Sequence, residues 1–411
     1  MKKLMSMVLF VILLTMPGWA DNADLSPQEA YGRIFSSNAE QVKQYFAPEF
    51  LAVISAEKIV EIGKVYVNAL GAYKKAKSAD NKKHLLEFEK GTAESLIIIN
   101  ANNKISTLWF GTPEISDDSL AAVKQAFEKL TGKVSVCLLR HDPAKNAPEE
   151  ILTLNEKTPL GCGSAFKLYL LKALDESVKQ GKRSWTDIVE IRDEWKSFPT
   201  GILQDWPAGS RHTLETVAGL MISISDNTAT DHIYNLLGEK TLREYFPASC
   251  VDLFNTGHLL KLKFFFPAKA LEFAKADAAA RKGILNEMNS IKPSEIASYS
   301  AIYQIENPVL VEELEWFIST RDLCETIYSL RDNHLLRINP ATGLVSKNDW
   351  HIAGFKGGSE PGVLNYTWVL QKKADAPFYT LSCTIIDPQK PVDDNNFNQL
   401  VSRLLKLIEK L

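Results

Sequence analysis

The feature that most restricts this chain is a polar triplet set inside an apolar run. Leu220-Met221-Ile222-Ser223-Ile224 leads into Ser225-Asp226-Asn227, and Thr228-Ala229-Thr230-Asp231 follows. Ser, Asp and Asn favour turns because their short side chains compete with the backbone for hydrogen bonds. Between helical segments they place donors and acceptors at an interior break, where each needs a partner. In a cleft, Ser225 would relay a proton toward a leaving group, and the Asn227 amide would hold a substrate carbonyl and a nearby lysine. Asp226 would pin the turn through backbone hydrogen bonds. An ordinary capped turn is the alternative that the triplet alone leaves open.

Two further elements stand on either side of it. Gly163-Ser164-Ala165-Phe166-Lys167 lies where loop residues give way to the apolar helical run Leu168-Tyr169-Leu170-Leu171. A spacing of three is nearly one helical turn, so Ser164 and Lys167 face the same side, and a neutral Lys167 amine could accept the Ser164 proton. A helix start also leaves the Ser164 N–H unpaired, ready for negative charge on a tetrahedral intermediate. Downstream, Phe355-Lys356-Gly357-Gly358-Ser359-Glu360-Pro361-Gly362 precedes the strand-like run 366–370. On an inward-facing strand Lys356 supplies positive charge for a substrate carboxylate. Gly357 and Gly358 let that backbone approach a ligand closely, and the Ser359 N–H is a second oxyanion donor. Taken singly, a capped helix with a surface lysine and a glycine-rich hairpin explain these stretches as well. In this order, on helix start, interior turn and strand, the three together point to one acyl-transfer site.

A chain of 411 residues exceeds what one core usually serves, so two domains are expected. Lys2 and Lys3, the apolar run 8–14 and the small residues Gly18 and Ala20 read as a cleavable secretory signal over residues 1–20, which places the mature protein in the periplasm or outside the cell. A retained anchor is the alternative. Residues 26–70 carry a helical pattern opened by Ser26-Pro27-Gln28-Glu29, and 84–88, 95–99 and 105–110 are β-rich, with a polar turn at 100–104. That is a small α+β domain over 21–115, and its element order resembles the cone-shaped steroid-isomerase-like fold. A dimerisation or docking module and a ligand pocket both fit it. Gly111-Thr112-Pro113 closes the unit, and Ser116-Asp117-Asp118 is expected to cap a helix running to Leu130. Beyond lie a strand at 134–139, a helical middle to about 330, strands at 367–370 and 379–386, and a terminal helix at 397–411. This describes an α/β two-lobe sandwich over 116–411, its lobes meeting in a cleft.

A formal net charge of −3, made more acidic by loss of Lys2 and Lys3 with the leader, gives no footprint for nucleic acid. Cys137, Cys162, Cys250, Cys324 and Cys383 are scattered, without a CxxC pair or a histidine at metal spacing, so neither metal nor other cofactor is expected. An oxidising compartment permits a Cys250–Cys324 disulfide. The odd count and the apolar settings of Cys137 and Cys383 favour buried thiols.

The three elements resemble the penicillin-recognising serine hydrolases, and the class A β-lactamases in particular. The likeness is strongest from His212-Thr213-Leu214-Glu215 through the triplet to Asp231, and it covers residues 116–411. It implies that Ser164 is the acylated nucleophile, Lys167 its activating amine, Ser225 and Asn227 one wall of the cleft, and Lys356 with Gly358 and Ser359 the other. Class A enzymes carry a glutamate in the loop after Ser-Asp-Asn that activates water against the acyl-enzyme. Residues 253–271 contain no Asp or Glu, and the flanking candidates are Asp252 and Glu272. Gly357 stands where a threonine is usual, Cys162 lies two residues before the nucleophile as a packed thiol, and residues 264–308 form an amphipathic helical insertion. These departures, behind an isomerase-like domain, resemble a β-lactamase-like group associated with clavulanic-acid clusters.

The expectation is an acyl-transfer hydrolase opening a β-lactam or a related ester or amide, slow in deacylation and working on a small molecule as monomer or dimer. A binding or sensing protein that stays acylated, or holds a peptidoglycan fragment, is the alternative from another class.

Overall fold

The computed structural model describes residues 25–79, 82–296, 302, 305–341 and 343–411, so the leader at 1–20 lies outside the described residues. They fall into two compact units: residues up to Val123 together with Asn398–Leu411, and Lys124–Phe397. The first unit is discontinuous in sequence, whereas the pattern of residues suggested one boundary near 115.

In the first unit the expected helical stretch is four helices, Pro27–Ser36, Ala39–Lys43, Pro48–Leu51 and Ala56–Leu70. Ser26 and Glu29 close a reciprocal capping box at the start. Gly71, at φ +78°, ends the last helix in a conformation that L side chains resist. An antiparallel sheet follows in the order Tyr73–Ser78, Lys83–Phe88, Gly91–Ile99, Ile105–Phe110, and Glu114–Ile115 pairs with the third strand. Tyr31, Ile34, Phe46, Ile59, Tyr66, Leu86, Phe88, Ile97 and Phe110 fill the space between helices and sheet. Tyr73–Ser78 carries no apolar alternation, so its sequence did not announce a strand. It is an edge strand, and its Lys75 and Lys77 amines pair with Glu87 on the neighbour. The helix expected from Ser116-Asp117-Asp118 begins later, as Leu120–Glu128. Asp117 sits at φ +56°, outside helical geometry; Ser119 accepts the Ala122 N–H, and Asp118 instead forms a bidentate pair with Arg403.

In the second unit a five-stranded antiparallel sheet runs Ile352–Glu360, Val363–Gln371, Phe378–Ile386, Lys133–His141, Glu149–Leu154. All nine residues of Val363–Gln371 are buried, as befits a strand covered on both faces. A helical lobe, built on Lys167–Lys179, Leu214–Ser223, Asn227–Leu237 and Thr320–Ser329, shares one core through Leu170, Leu171, Val217, Met221, Ile233 and Leu323. The expected insertion supplies Pro267–Lys275 and Ala278–Ser290, whose Ala270, Phe273, Ile284 and Met288 join that same core. All five cysteines are buried free thiols, and Cys250 and Cys324 bond to the carbonyls of Phe317 and Cys137 rather than to each other. Among the described residues no helix is long and apolar enough to cross a membrane, and no cluster of His, Cys, Asp and Glu forms a metal site.

Trp368, fully buried on the strand Val363–Gln371, donates its indole N–H to the Pro340 carbonyl. Trp368→Ala should destabilise the second unit by about 3–5 kcal/mol, read from denaturant unfolding followed by circular dichroism.

Candidate active site

Three chain segments converge where sheet and helical lobe of the second unit meet. The first is a 3-10 turn, Gly163–Phe166, that runs straight into the helix Lys167–Lys179. The turn holds Ser164 half-buried at the helix start and sends Lys167 inward, with no exposed surface. Phe166 anchors the turn by stacking on Trp316, ring centroids 3.8 Å apart and planes within 6°.

The second segment is the break between Leu214–Ser223 and Asn227–Leu237. Asp226, fully buried, caps the second helix through Ala229 N–H at 2.8 Å and draws in the N–H groups of Ile202 and Leu203 at 2.7 and 2.9 Å. That is the pinning role its sequence position suggested. Ser225 is held at φ +58°, which turns its carbonyl and its hydroxyl toward the same point. The Lys167 amine occupies that point. Its donors reach Ser225 O at 2.8 Å, Ser225 Oγ at 3.1 Å and Asn227 Oδ1 at 2.7 Å. The Asn227 amide nitrogen is fixed on the Phe198 carbonyl at 2.7 Å, so its oxygen faces the lysine. The Lys167 partners therefore lie across the cleft in the triplet, and the Ser164 hydroxyl is not one of these three.

The third segment is the strand Ile352–Glu360. Lys356 is buried, not solvated, and its amine donates to the same Ser225 Oγ at 3.1 Å and to the Gly357 carbonyl. Gly358 lies so close over the 3-10 turn that a Cβ there would sit 2.2 Å from Cys162 O and 2.4 Å from Ser164 N. Gly163, at φ +50°, reciprocates: a Cβ on it would come 3.1 Å from Ser359 N. Absence of side chains at both glycines lets the strand backbone at Gly358 and Ser359 pass directly against the turn backbone at Gly163 and Ser164. At Gly357 a Cβ would meet the Phe355 ring at 2.8 Å and Asn365 O at 2.9 Å, so the threonine usual in the resembled family has no room without a shift.

The electrostatics favour neutral amines. Burial, then the nearby Lys356, drives the Lys167 pKa well below the usual lysine value, against a weaker pull from Asp226 and Asp231. Burial alone lowers Lys356 to about 7. Burial also raises the Cys162 thiol well above its ordinary value, which fits a packed thiol rather than a thiolate.

Neither carboxylate flanking the acid-free stretch reaches this place. Asp252 is paired with Arg281 at 2.8 Å and Glu272 with Lys269 at 3.2 Å. Sequence reasoning gave no role to Asp231, which the structure puts beside the triplet: its carboxylate takes Thr256 N–H at 2.9 Å, Thr256 Oγ1 at 2.5 Å and Gly257 N–H at 2.8 Å. Burial pushes it up to about 6 against those bonds. Thr200, whose hydroxyl donates to Ser225 O at 2.7 Å, was also missed, because a threonine in a loop carries no periodic signal.

With this geometry in place, the comparison with known proteins is decisive at the level of family. The beta-lactamase enzyme family model matches residues 118–326, slightly more than half of the chain. The chain belongs to the beta-lactamase enzyme family. Solved structures it is similar to include a beta-lactamase from Sphaerobacter thermophilus DSM 20745, at 20% identity over 71% of this chain and 97% of that one, with a TM-score of 0.47. Others are the structure titled PBP-A, at 19% identity over 71% and 96% of the two chains with a TM-score of 0.45, and a beta-lactamase from Francisella tularensis, at 15% identity over 71% and 99% with a TM-score of 0.47. No curated protein matches the chain. The family match spans the segments of Ser164, Lys167, Ser225 and Asn227, and the strand of Lys356 to Ser359 lies beyond it.

Gly358→Ala tests the close approach directly. On the expectation that Ser164 is the acylated nucleophile, a methyl group set against three backbone atoms of residues 162–165 should cut its acylation by roughly 100-fold, the scale of losing one oxyanion donor, while the far-UV spectrum stays that of the parent.

Proposed function

We propose that this chain is an exported serine hydrolase that forms an acyl-enzyme on Ser164 from β-lactams or related esters and amides. The observation that carries the proposal is a buried lysine held entirely by neutral acceptors, one helical turn from an accessible serine. Burial of an amine in that setting disfavours its charged form, so it is more readily a base than an exposed lysine. Ser164 Oγ attacks the carbonyl carbon, its proton passes to the Lys167 nitrogen, and the tetrahedral oxyanion rests between the N–H groups of Ser164 and Ser359. Ser225 Oγ, touched by both lysine amines, hands a proton to the departing nitrogen or oxygen and is reprotonated from Lys167. Asn227 orients Lys167 and offers its remaining amide hydrogen to a substrate carbonyl, and Lys356 with Ser359 faces a substrate carboxylate.

Deacylation is the slow step in this proposal. The second reading, a protein that is acylated and stays so, is favoured by one observation: the carboxylate beside the triplet, Asp231, already spends its acceptors on Thr256 and Gly257. A chromogenic cephalosporin separates the two. Sustained colour with no mass change supports the hydrolase, and one stoichiometric burst with a persistent adduct supports the trap. We assign the first unit, by its helices-then-sheet order, to the steroid-isomerase-like fold, acting as a docking or dimerisation module.

Ser164→Ala should remove every adduct seen by intact-protein mass spectrometry; an adduct on that variant would overturn the nucleophile. The pH dependence follows from Lys356. Its pKa of about 7 means that positive charge is present below pH 7 and lost above it, so affinity for an anionic β-lactam should fall as pH rises through 7. Affinity for an uncharged ester should not, and stopped-flow binding curves from pH 5 to 9 compare the two.

A further inference from the structure

Behind the oxyanion donors lies a buried ionic cluster that no step above uses. Lys263, from the π-helical turn Lys261–Phe265 that leads into the insertion, has no exposed side-chain surface and meets two carboxyls, Glu315 and Glu360. Its amine is 3.0 Å from Glu315 Oε1 and forms a close bond with Glu360 Oε1. The Glu315 side chain is likewise unexposed, and that of Glu360 is 13% exposed.

The two acids lead to the two halves of the oxyanion site. Glu315 Oε2 accepts the N–H of Gly163, the residue before the nucleophile, at 3.3 Å, and that of Trp316 at 3.2 Å. Its chain neighbour Trp316 takes the Cys162 N–H on its carbonyl and stacks on Phe166, so residues 162–166 rest on the pair Glu315-Trp316. Glu360 follows Ser359 directly on the strand. Burial, then the neighbouring Glu315, raises the Glu360 carboxyl well above its ordinary value, against the pull of Lys263. Glu315 accepts two backbone N–H groups and one amine. Carboxyls buried this deeply are tolerable only with a cation set against them, and Lys263 is that cation.

We propose that Lys263, Glu315 and Glu360 are positioning residues that set the spacing of the Ser164 and Ser359 N–H donors, so that the turn leading into the insertion, through Lys263, controls acylation. The proposal rests on the acyl-enzyme reading for its kinetic consequence and on geometry alone for its structural one. Removing the cation leaves two buried acids facing each other, and the strand end and the nucleophile turn lose the group that draws them together. An oxyanion donor displaced by a fraction of an ångström is weakened in the transition state more than in the bound ground state.

The test uses the full chain with Lys263→Met, Glu315→Gln and Glu360→Gln. Stopped-flow mixing with a chromogenic cephalosporin yields the acylation rate at saturation and the apparent dissociation constant separately. Amide exchange by mass spectrometry follows peptides covering 160–166 and 356–362. Lys263→Met should slow acylation at saturation by about tenfold or more while the dissociation constant stays within about threefold, and should speed exchange in both peptides. Glu360→Gln keeps an oxygen acceptor for the Lys263 amine, whereas Glu315→Gln sets an NH2 group against either that amine or the N–H groups of Gly163 and Trp316. Glu315→Gln should therefore slow acylation by about tenfold more than Glu360→Gln does. Unchanged exchange together with an unchanged saturating rate in Lys263→Met overturns the proposal. So does the reverse order of the two glutamine variants, which decides the matter if Lys263→Met does not fold. If the wild-type chain is acylated by no probe, the hydrolase reading has failed; exchange then still decides this one, faster in both peptides supporting it and unaltered in either refuting it.

Discussion

The second unit's chemistry depends on one desolvated amine. Taking the Lys167 side chain out of water costs several kcal/mol if it stays charged, and among the described residues no carboxylate pairs with it to offset that cost. The structure meets the problem with three neutral oxygens, which can accept from an ammonium and tolerate an amine. Holding those oxygens in place requires Ser225 in a left-handed conformation, an expense of about 1–3 kcal/mol that the surroundings must cover. Asp226 covers part of it with three backbone bonds that would not form if the turn relaxed. The residue beside the reacting groups thus bears the strain, and its charged neighbour stabilises the strained form.

From that amine outward, the fold is a set of distance constraints. The helix Lys167–Lys179 is buried along Leu168, Leu170, Leu171 and Leu174, which fixes where Lys167 emerges. Nine consecutive buried residues of Val363–Gln371 clamp the Lys356 strand from its other edge, and two glycines let that strand come within backbone distance of the nucleophile turn. Packing of this density transmits small shifts without absorbing them, so residues that never touch a substrate can govern the reach of those that do.

The sequence carried much of this. Ser164, Lys167, Ser225, Asn227, Lys356, Gly358 and Ser359 were identifiable because each sits at an offset that one kind of element imposes: a helical turn, an interior break, a strand with paired glycines. The structure brings all of them to one place. It was also possible to read the β-rich runs 84–88, 95–99 and 105–110 from their apolar content. What stayed hidden was of two kinds. Tyr73–Ser78 becomes a strand by pairing with a neighbour, not by its own pattern. Asp231, Glu315 and Glu360 matter through partners 25 to 152 residues away, Thr256 for the first and Gly163 for the second, and no local period encodes such a distance.

That second kind bears on deacylation, the step proposed to be slow. An acidic water activator must be desolvated enough to be basic yet keep an oxygen free for water. Asp231, at about 6, satisfies the first condition and fails the second, because its oxygens are bound to Thr256 and Gly257. Glu315 fails in the same manner: its oxygens hold Lys263, Gly163 and Trp316. The buried carboxylates around this site are committed to keeping backbone in place. The same bonds that align a serine, two lysines and two N–H donors for acylation leave the ester that would result without a free carboxylate in these two positions to call on water.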